Sequence, residues 1–162
     1  MKKVYFYDYP VGSLGIVEKD NSISGVFFHD LESKEKYLEG CPLGLEERET
    51  PLIKKAASQL GEYFKAKRKD FDLPLLLEGT DFQRSVWNSL LAIPFGETCS
   101  YKDIAARIGN PKACRAVGMA NNRNPIVIII PCHRVIGQGG GLTGYGVGLK
   151  VKRFLLELEK GK

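Results

Sequence analysis

Cys132 is followed at once by His133, one of two histidines in the chain, and then by Arg134. A thiol beside an imidazole and a guanidinium can be held partly as thiolate, the form of sulfur that attacks carbon. The run Ile128-Ile129-Ile130-Pro131 delivers that thiol from apolar sequence. A cysteine in such a run is equally well explained as a small core side chain. The dipeptide therefore does not decide the chemistry by itself, and the elements that carry it must be read.

Those elements are punctuated by caps. Thr80-Asp81-Phe82-Gln83 is a Thr-x-x-Gln capping box, opening a helix with Phe82, Val86, Leu90 and Leu91 as its apolar positions and ending before Pro94. Ser100-Tyr101-Lys102-Asp103 is a second cap, leading Ile104, Ala105 and Ile108 into a short helix that stops at Gly109. Asn110-Pro111 is expected to start the next helix at once, through Ala113, Ala116, Val117 and Ala120. Two short helices joined by Gly109-Asn110 make a helix-turn-helix pattern. The second is lined with small residues around Arg115, with Lys112 nearby; a lone large cation among alanines suits a duplex or its phosphates better than helix packing. Packing two helices needs no DNA, so the pattern alone remains open. A last helix is expected over 149–160, with Val151, Phe154, Leu155 and Leu158 inward.

The first half reads differently. Strands are expected over 4–8, 14–19 and 22–28, separated by Pro10-Val11-Gly12 and Asp20-Asn21. Residues 31–49 are polar and read as a surface connection. Thr50-Pro51 caps an amphipathic helix over 51–66, which the basic run 65–69 should close at the dipole's negative end. An extended link over 71–78 leads to a boundary at Gly79, giving domains over 1–78 and 79–162.

Of the 162 residues, 43% are hydrophobic and 27% charged, as in soluble globular chains. Residues 1–79 hold 12 Lys+Arg against 14 Asp+Glu, and residues 80–162 hold 12 against 5. The second half is thus the one suited to a polyanion. Four scattered cysteines, no signal-peptide pattern after Met1-Lys2-Lys3, and no aliphatic run beyond 126–130 together predict a cytoplasmic protein with reduced thiols and no membrane segment.

Pro131-Cys132-His133-Arg134-Val135, with Asn124-Pro125 upstream and Tyr145-Gly146 downstream, resembles the O6-alkylguanine-DNA alkyltransferases. The likeness is dense over 80–159 and loose before it. It implies an N-terminal ribonuclease-H-like α/β domain followed by a C-terminal winged helix-turn-helix domain. It implies a protein that binds double-stranded DNA containing O6-alkylguanine and transfers the alkyl group irreversibly to Cys132; no cofactor is expected, and a monomer is the default. His133 would be the base, acting through a bridging water, because neighbouring residues in extended backbone point apart. Glu159 would hold the other imidazole nitrogen, although its spacing alone suits a solvated helix-end carboxylate. Tyr101 would contact guanine and donate a proton, and Arg115 would fill the gap left by an extruded base. Lys112, Ala113 and Ala116 would lie along the DNA, and Asn124 would tie the recognition helix to the active-site strand. Val135, Tyr145, Gly146 and Val147 would line the base pocket. Val147 replaces a usual glycine and would narrow the pocket against bulky adducts. Some members bind a structural zinc, but only His29 and Cys41 are available in the first half, so no metal is expected. Two rivals compete with this reading: a DNA-binding module with an inert cysteine, and a cysteine hydrolase, for which no oxyanion hole is legible.

Overall fold

The hairpin signals of the first 30 residues become β1 (Lys2–Tyr9), β2 (Gly12–Lys19) and β3 (Ser22–His29) in the computed structural model, which describes residues 2–29, 45–137 and 148–161. The chain divides into two units, Met1–Leu77 and Glu78–Lys162.

In the first unit the sheet order is β3-β2-β1-β4, antiparallel except where β4 (Leu45–Glu47) runs parallel to β1. Strand β4 corrects the expectation of a bare connection over 31–49. It is a short edge strand held through its backbone, with two of its three residues exposed, so no apolar alternation announces it. Between β2 and β3 both Asp20 and Asn21 have positive φ, 52° and 59°, the two-residue turn whose twist matches a hairpin. Helix α1 (Pro51–Phe64) packs on the sheet through Ile53, Ala56, Ala57, Leu60, Tyr63 and Phe64. Thr50 caps it, accepting from Ile53 N at 3.1 Å and donating to Glu18 Oε1 at 2.8 Å.

The helix ends two residues earlier than its periodicity suggests. Ala66, at φ 58°, turns the chain left-handed; the basic run lies beyond the last turn, and Lys65 caps the helix through its backbone N–H on Gly61 O and Glu62 O, not through its charge. The link that follows is not loose: Ile23 N donates to Pro74 O and Leu76 N to Ile23 O, so the segment pairs alongside β3. Pro74 fits there because only its carbonyl is used.

The second unit is built from α2 (Asp81–Leu91), α3 (Tyr101–Arg107), α4 (Cys114–Asn122) and α5 (Leu149–Glu159), with a small parallel pair of β5 (Cys99–Ser100) and β6 (Val135–Ile136). Both capping boxes form, at Thr80 with Gln83 and at Ser100 with Asp103. The Ser100 hydrogen bonds also hold the Asp103 carboxyl below its usual range. Helices α3 and α4 form the helix-turn-helix pair. Helix α4 begins at Cys114 rather than at Pro111, because residues 110–113 form a separate turn closed by Ala113 N on Asn110 O.

Trp87, which the apolar spacing of α2 left out, is the side chain that joins this helix to α4. It is 2% exposed, and its indole N–H donates to Ala120 O at 2.9 Å. Gly79 is fixed by the same tryptophan, since a Cβ there would lie 2.6 Å from the indole ring. The inward face of helix α5 matches the expected one only in part, with Leu155 buried and Val151 and Leu158 half-buried as expected. Lys152, Leu155, Leu156 and Glu159 are buried, while Phe154 is 38% exposed. Two charged residues point inward because they bind the turn described next.

Candidate active site

Cys132 does not lie on an extended strand. Residues Cys132–Arg134 form a single 3₁₀ turn, closed by Val135 N donating to Cys132 O. Before it, residues 126–131 fold into a tight turn in which Ile130 N returns to Ile126 O and Ile128 is forced to φ 71°. That conformation is strained for a β-branched residue. Asn124 holds the turn shut: its Nδ2 donates to Ile130 O at 2.7 Å while its Oδ1 accepts from Ile126 N at 2.9 Å. Asn121, a residue the sequence did not single out, adds a bond from Nδ2 to Cys132 O at 3.3 Å. Asn121 in the last turn of α4 and Asn124 just after the helix thus fix the backbone that carries the thiol. Cys132 is 3% exposed.

The turn rotates His133 away from its neighbour and into α5. Its Nε2 lies 2.5 Å from Glu159 Oε2, and both side chains are buried. Burial pulls the imidazole below its ordinary pKa and outweighs the upward pull of Glu159; Arg134 and Lys152 lower it further. His133 is therefore neutral near pH 7, with its single proton on Nε2 facing the carboxylate. Nδ1 then carries the lone pair, and it is a buried nitrogen without a protein hydrogen-bond partner among the described residues.

Glu159 does more than hold the histidine. Its two oxygens also accept from Arg134 Nε at 2.8 Å, Arg134 Nη2 at 3.1 Å and Gly96 N at 3.1 Å. Arg134 completes its own contacts with Ile93 O at 2.7 Å and lies over the Phe95 ring. The guanidinium next to the thiol in sequence is thus engaged by a carboxylate on another helix. Glu159, which spacing alone would have left in solvent, is the centre of the cluster. Two helical turns before it on the same face, Lys152 is fully buried and donates from Nζ to Val135 O at 2.6 Å. Neither Arg134 nor Lys152 stood among the expected site residues. The i, i+7 spacing of Lys152 and Glu159 on an otherwise apolar face was the signal for them.

The expected DNA-facing residues occupy one exposed side of this unit. Lys112, Arg115 and Ala116 are exposed and Ala113 is half-buried, while Val117, Ala120 and Asn121 form the inner face of α4. Tyr101 begins α3 half-buried, and a Cβ at Gly118 would sit 3.9 Å from its ring, which brings the start of α3 against the middle of α4. Val135 is buried beside Cys132. Tyr145, Gly146, Val147 and Cys41 lie outside the described residues. Cys99, Cys114 and Cys132 are not in disulfides. Among the described residues no group of three or more histidines, cysteines and carboxylates could hold a metal, and no helix is long and apolar enough to cross a membrane.

Comparison with known proteins matches both units. Residues 81–161 fit the family model "6-O-methylguanine DNA methyltransferase, DNA binding domain", and residues 3–77 fit its "ribonuclease-like domain". The methylated-DNA–protein-cysteine methyltransferase of Methanosarcina acetivorans is 49% identical over 94% of this chain and 95% of its own length. The constitutive enzyme of that name from Bacillus subtilis is 47% identical over 93% and 91%. The crystal structure of Mycobacterium tuberculosis OGT in complex with DNA superposes with a TM-score of 0.86 at 44% identity, covering 98% of this chain and 93% of that one. A single chain that fits both family models in order, around a Pro-Cys-His-Arg turn clamped by a helical glutamate, belongs to the 6-O-methylguanine DNA methyltransferase family.

Proposed function

We propose that this protein repairs alkylated DNA by moving the alkyl group of O6-alkylguanine onto Cys132, each molecule acting once. The reading is carried by the His133–Glu159 contact, which puts the imidazole proton on Nε2 and leaves a basic Nδ1 within the buried turn that holds the thiol. His133 takes the thiol proton through a bridging water. The sulfur then attacks the alkyl carbon in line, the carbon–oxygen bond breaks, and its electron pair leaves on guanine O6. Tyr101 donates a proton to the departing base. The product is a thioether, which offers water no good leaving group, so the thiol is not regenerated.

A thiol only 3% exposed cannot meet O6 of a base still stacked in a duplex. The nucleotide must swing out, at a cost of a few kcal/mol that is smaller for a damaged pair. Arg115, exposed on α4, fills the gap, while Lys112, Ala113 and Ala116 follow the groove. Val135, Tyr145, Gly146 and Val147 line the base pocket, and Asn124 sets the turn. DNA binding belongs to residues 79–162, and the ribonuclease-like residues 1–78 carry none of these groups. The working form is a cytoplasmic monomer. The rival module with an inert cysteine is disfavoured, because Cys132 is present and its histidine is held for proton transfer.

The test is incubation with duplex DNA containing O6-methylguanine, followed by mass spectrometry of the protein. One methyl group on Cys132, absent from Cys132→Ala, is the expected outcome. Unmodified protein that still binds the duplex overturns the reading in favour of the module.

A further inference from the structure

Asn121 tethers the backbone of Cys132 only weakly: its Nδ2 donates to Cys132 O at 3.3 Å, long for an N–H donor. Asn124 already shuts the same segment through bonds of 2.7 and 2.9 Å. One long bond does little to offset the desolvation of a carboxamide that is 1% exposed. The orientation of that amide is settled by its partner, because a carbonyl can accept only from Nδ2. Oδ1 therefore points elsewhere, and it is a buried acceptor with no protein partner among the described residues. His133 Nδ1 is in the same position. Both atoms belong to one turn. The Asn121 amide sits on the carbonyl of Cys132, whose carbon is bonded to the backbone nitrogen of His133. With Nε2 of His133 turned to Glu159 on α5, Nδ1, the nitrogen beside Cγ, is the one nearer the backbone of its own turn. Two buried acceptors cannot satisfy each other. They need a donor between them, and water, with two O–H groups, serves both.

We propose that Asn121 Oδ1 anchors the water that carries the Cys132 proton to His133, a positioning role that rests on Cys132 being the alkyl acceptor. Before the proton moves, the water accepts from the Cys132 S–H and donates its two hydrogens to His133 Nδ1 and Asn121 Oδ1. The thiol proton passes to the water oxygen as one of the water's own protons passes to Nδ1. Sulfur is left negative and the imidazole positive, with the Nε2 proton still on Glu159. The water then accepts from Nδ1–H and donates to the sulfur and to Oδ1. Of its three hydrogen bonds, only the one to Asn121 keeps its direction through the exchange. That bond holds the oxygen in place while the other two reverse. An apolar side chain at this position would leave the water held only by the two groups that trade the proton.

The anchor is read directly in a crystal structure of the wild-type protein at a resolution that shows ordered water, a measurement that needs no variant to fold. One water should lie within about 3.2 Å of both Asn121 Oδ1 and His133 Nδ1, and a map in which no water reaches both overturns the proposal. Its consequence is read without DNA, as the rate of carboxamidomethylation of Cys132 by iodoacetamide, located by mass spectrometry. Wild type, Asn121→Leu, His133→Asn and the double variant are compared at pH 7. Asn121→Leu should slow the reaction about tenfold. The double variant should react within about twofold of His133→Asn, because Asn121 acts through the water that serves the histidine. Loss of the bond to Cys132 O does not depend on His133. A second tenfold loss on top of His133→Asn would therefore make Asn121 a backbone tether alone and reject the anchor. The repair function can fail separately. A wild-type protein that shows the shared water and the coupled rates, yet takes no methyl group from O6-methylguanine DNA, would defeat that function and leave the anchored water standing.

Discussion

The two units bury polar groups to different ends. In the first, the buried polar side chains among the described residues are Glu18, Ser24, Thr50 and Gln59. Thr50 with Glu18 caps α1, and Gln59 binds the backbone of Asp72 from both sides, securing the link to the helix. In the second they are Asn121, Asn124, His133, Arg134, Lys152 and Glu159, every one in contact with residues 126–135. Glu18, Thr50 and Gln59 thus close elements that burial of Val4, Leu14, Ile16, Leu60 and Tyr63 already holds together. The second takes four ionisable side chains out of water around one thiol, at a desolvation cost that packing with hydrocarbon would avoid. A domain that gives up stability in this way marks where its chemistry lies.

The sharpest break in that comparison is Cys132→Ala. Methyl uptake from O6-methylguanine DNA should vanish by mass spectrometry, while circular dichroism stays that of the parent. Next comes Glu159→Gln, which leaves Arg134 without its carboxylate. Removing one partner of a buried ion pair costs about 3–5 kcal/mol, and chemical denaturation should show a loss of this size. The matched change in the first unit is Thr50→Ala, which removes a cap and the partner of Glu18. It should cost only about 1–2 kcal/mol and leave the methyl-transfer rate of the folded protein unaltered. Equal losses at the two positions would erase the distinction between the units.

Arg115→Ala bears on the exposed side of the second unit. Repair of duplex DNA should fall by about tenfold or more, the equivalent of ~1.4 kcal/mol, while reaction with free O6-benzylguanine changes little. Equal losses on both substrates would remove Arg115 from base extrusion. The smallest effect is a pH dependence of stability. The folded His133 takes a proton less readily than the unfolded chain, whose ordinary value is 6.5. The unfolded state therefore binds more protons below that point. Stability should be complete above about pH 6.5 and decline as pH falls from there toward the folded value. His133→Asn should flatten this part of the urea-midpoint profile.

Much of the framework was legible because it follows from local rules. Thr80, Ser100 and Thr50 announce helix starts through hydrogen bonds spanning three residues, and each cap forms where its sequence places it. The Asp20-Asn21 turn is equally local. Errors arose where partners are distant in sequence. Periodicity placed Leu155 of α5 inward but also Phe154, which is exposed, and it missed Lys152 and Glu159, which read as polar and therefore outward. Strand β4 has no apolar pattern, since its pairing with β1 uses backbone alone. The active-site strand that the resemblance implied at Cys132 is a turn instead, because Asn121 and Asn124 tie the backbone of this segment to itself and to α4.

The sequence by itself determined the helix caps, the hairpin, the basic second half and the identity of the one thiol beside a histidine, because each depends on residue type and short spacing. Only the tertiary structure decided that His133 and Arg134 converge on a carboxylate 26 and 25 positions away, and that Lys152 is buried against the carbonyl of Val135. The physical reason is desolvation. Whether a charged side chain is a solvated surface group or the centre of a reactive cluster depends on what excludes water from it, and those neighbours are brought together by packing rather than by order along the chain.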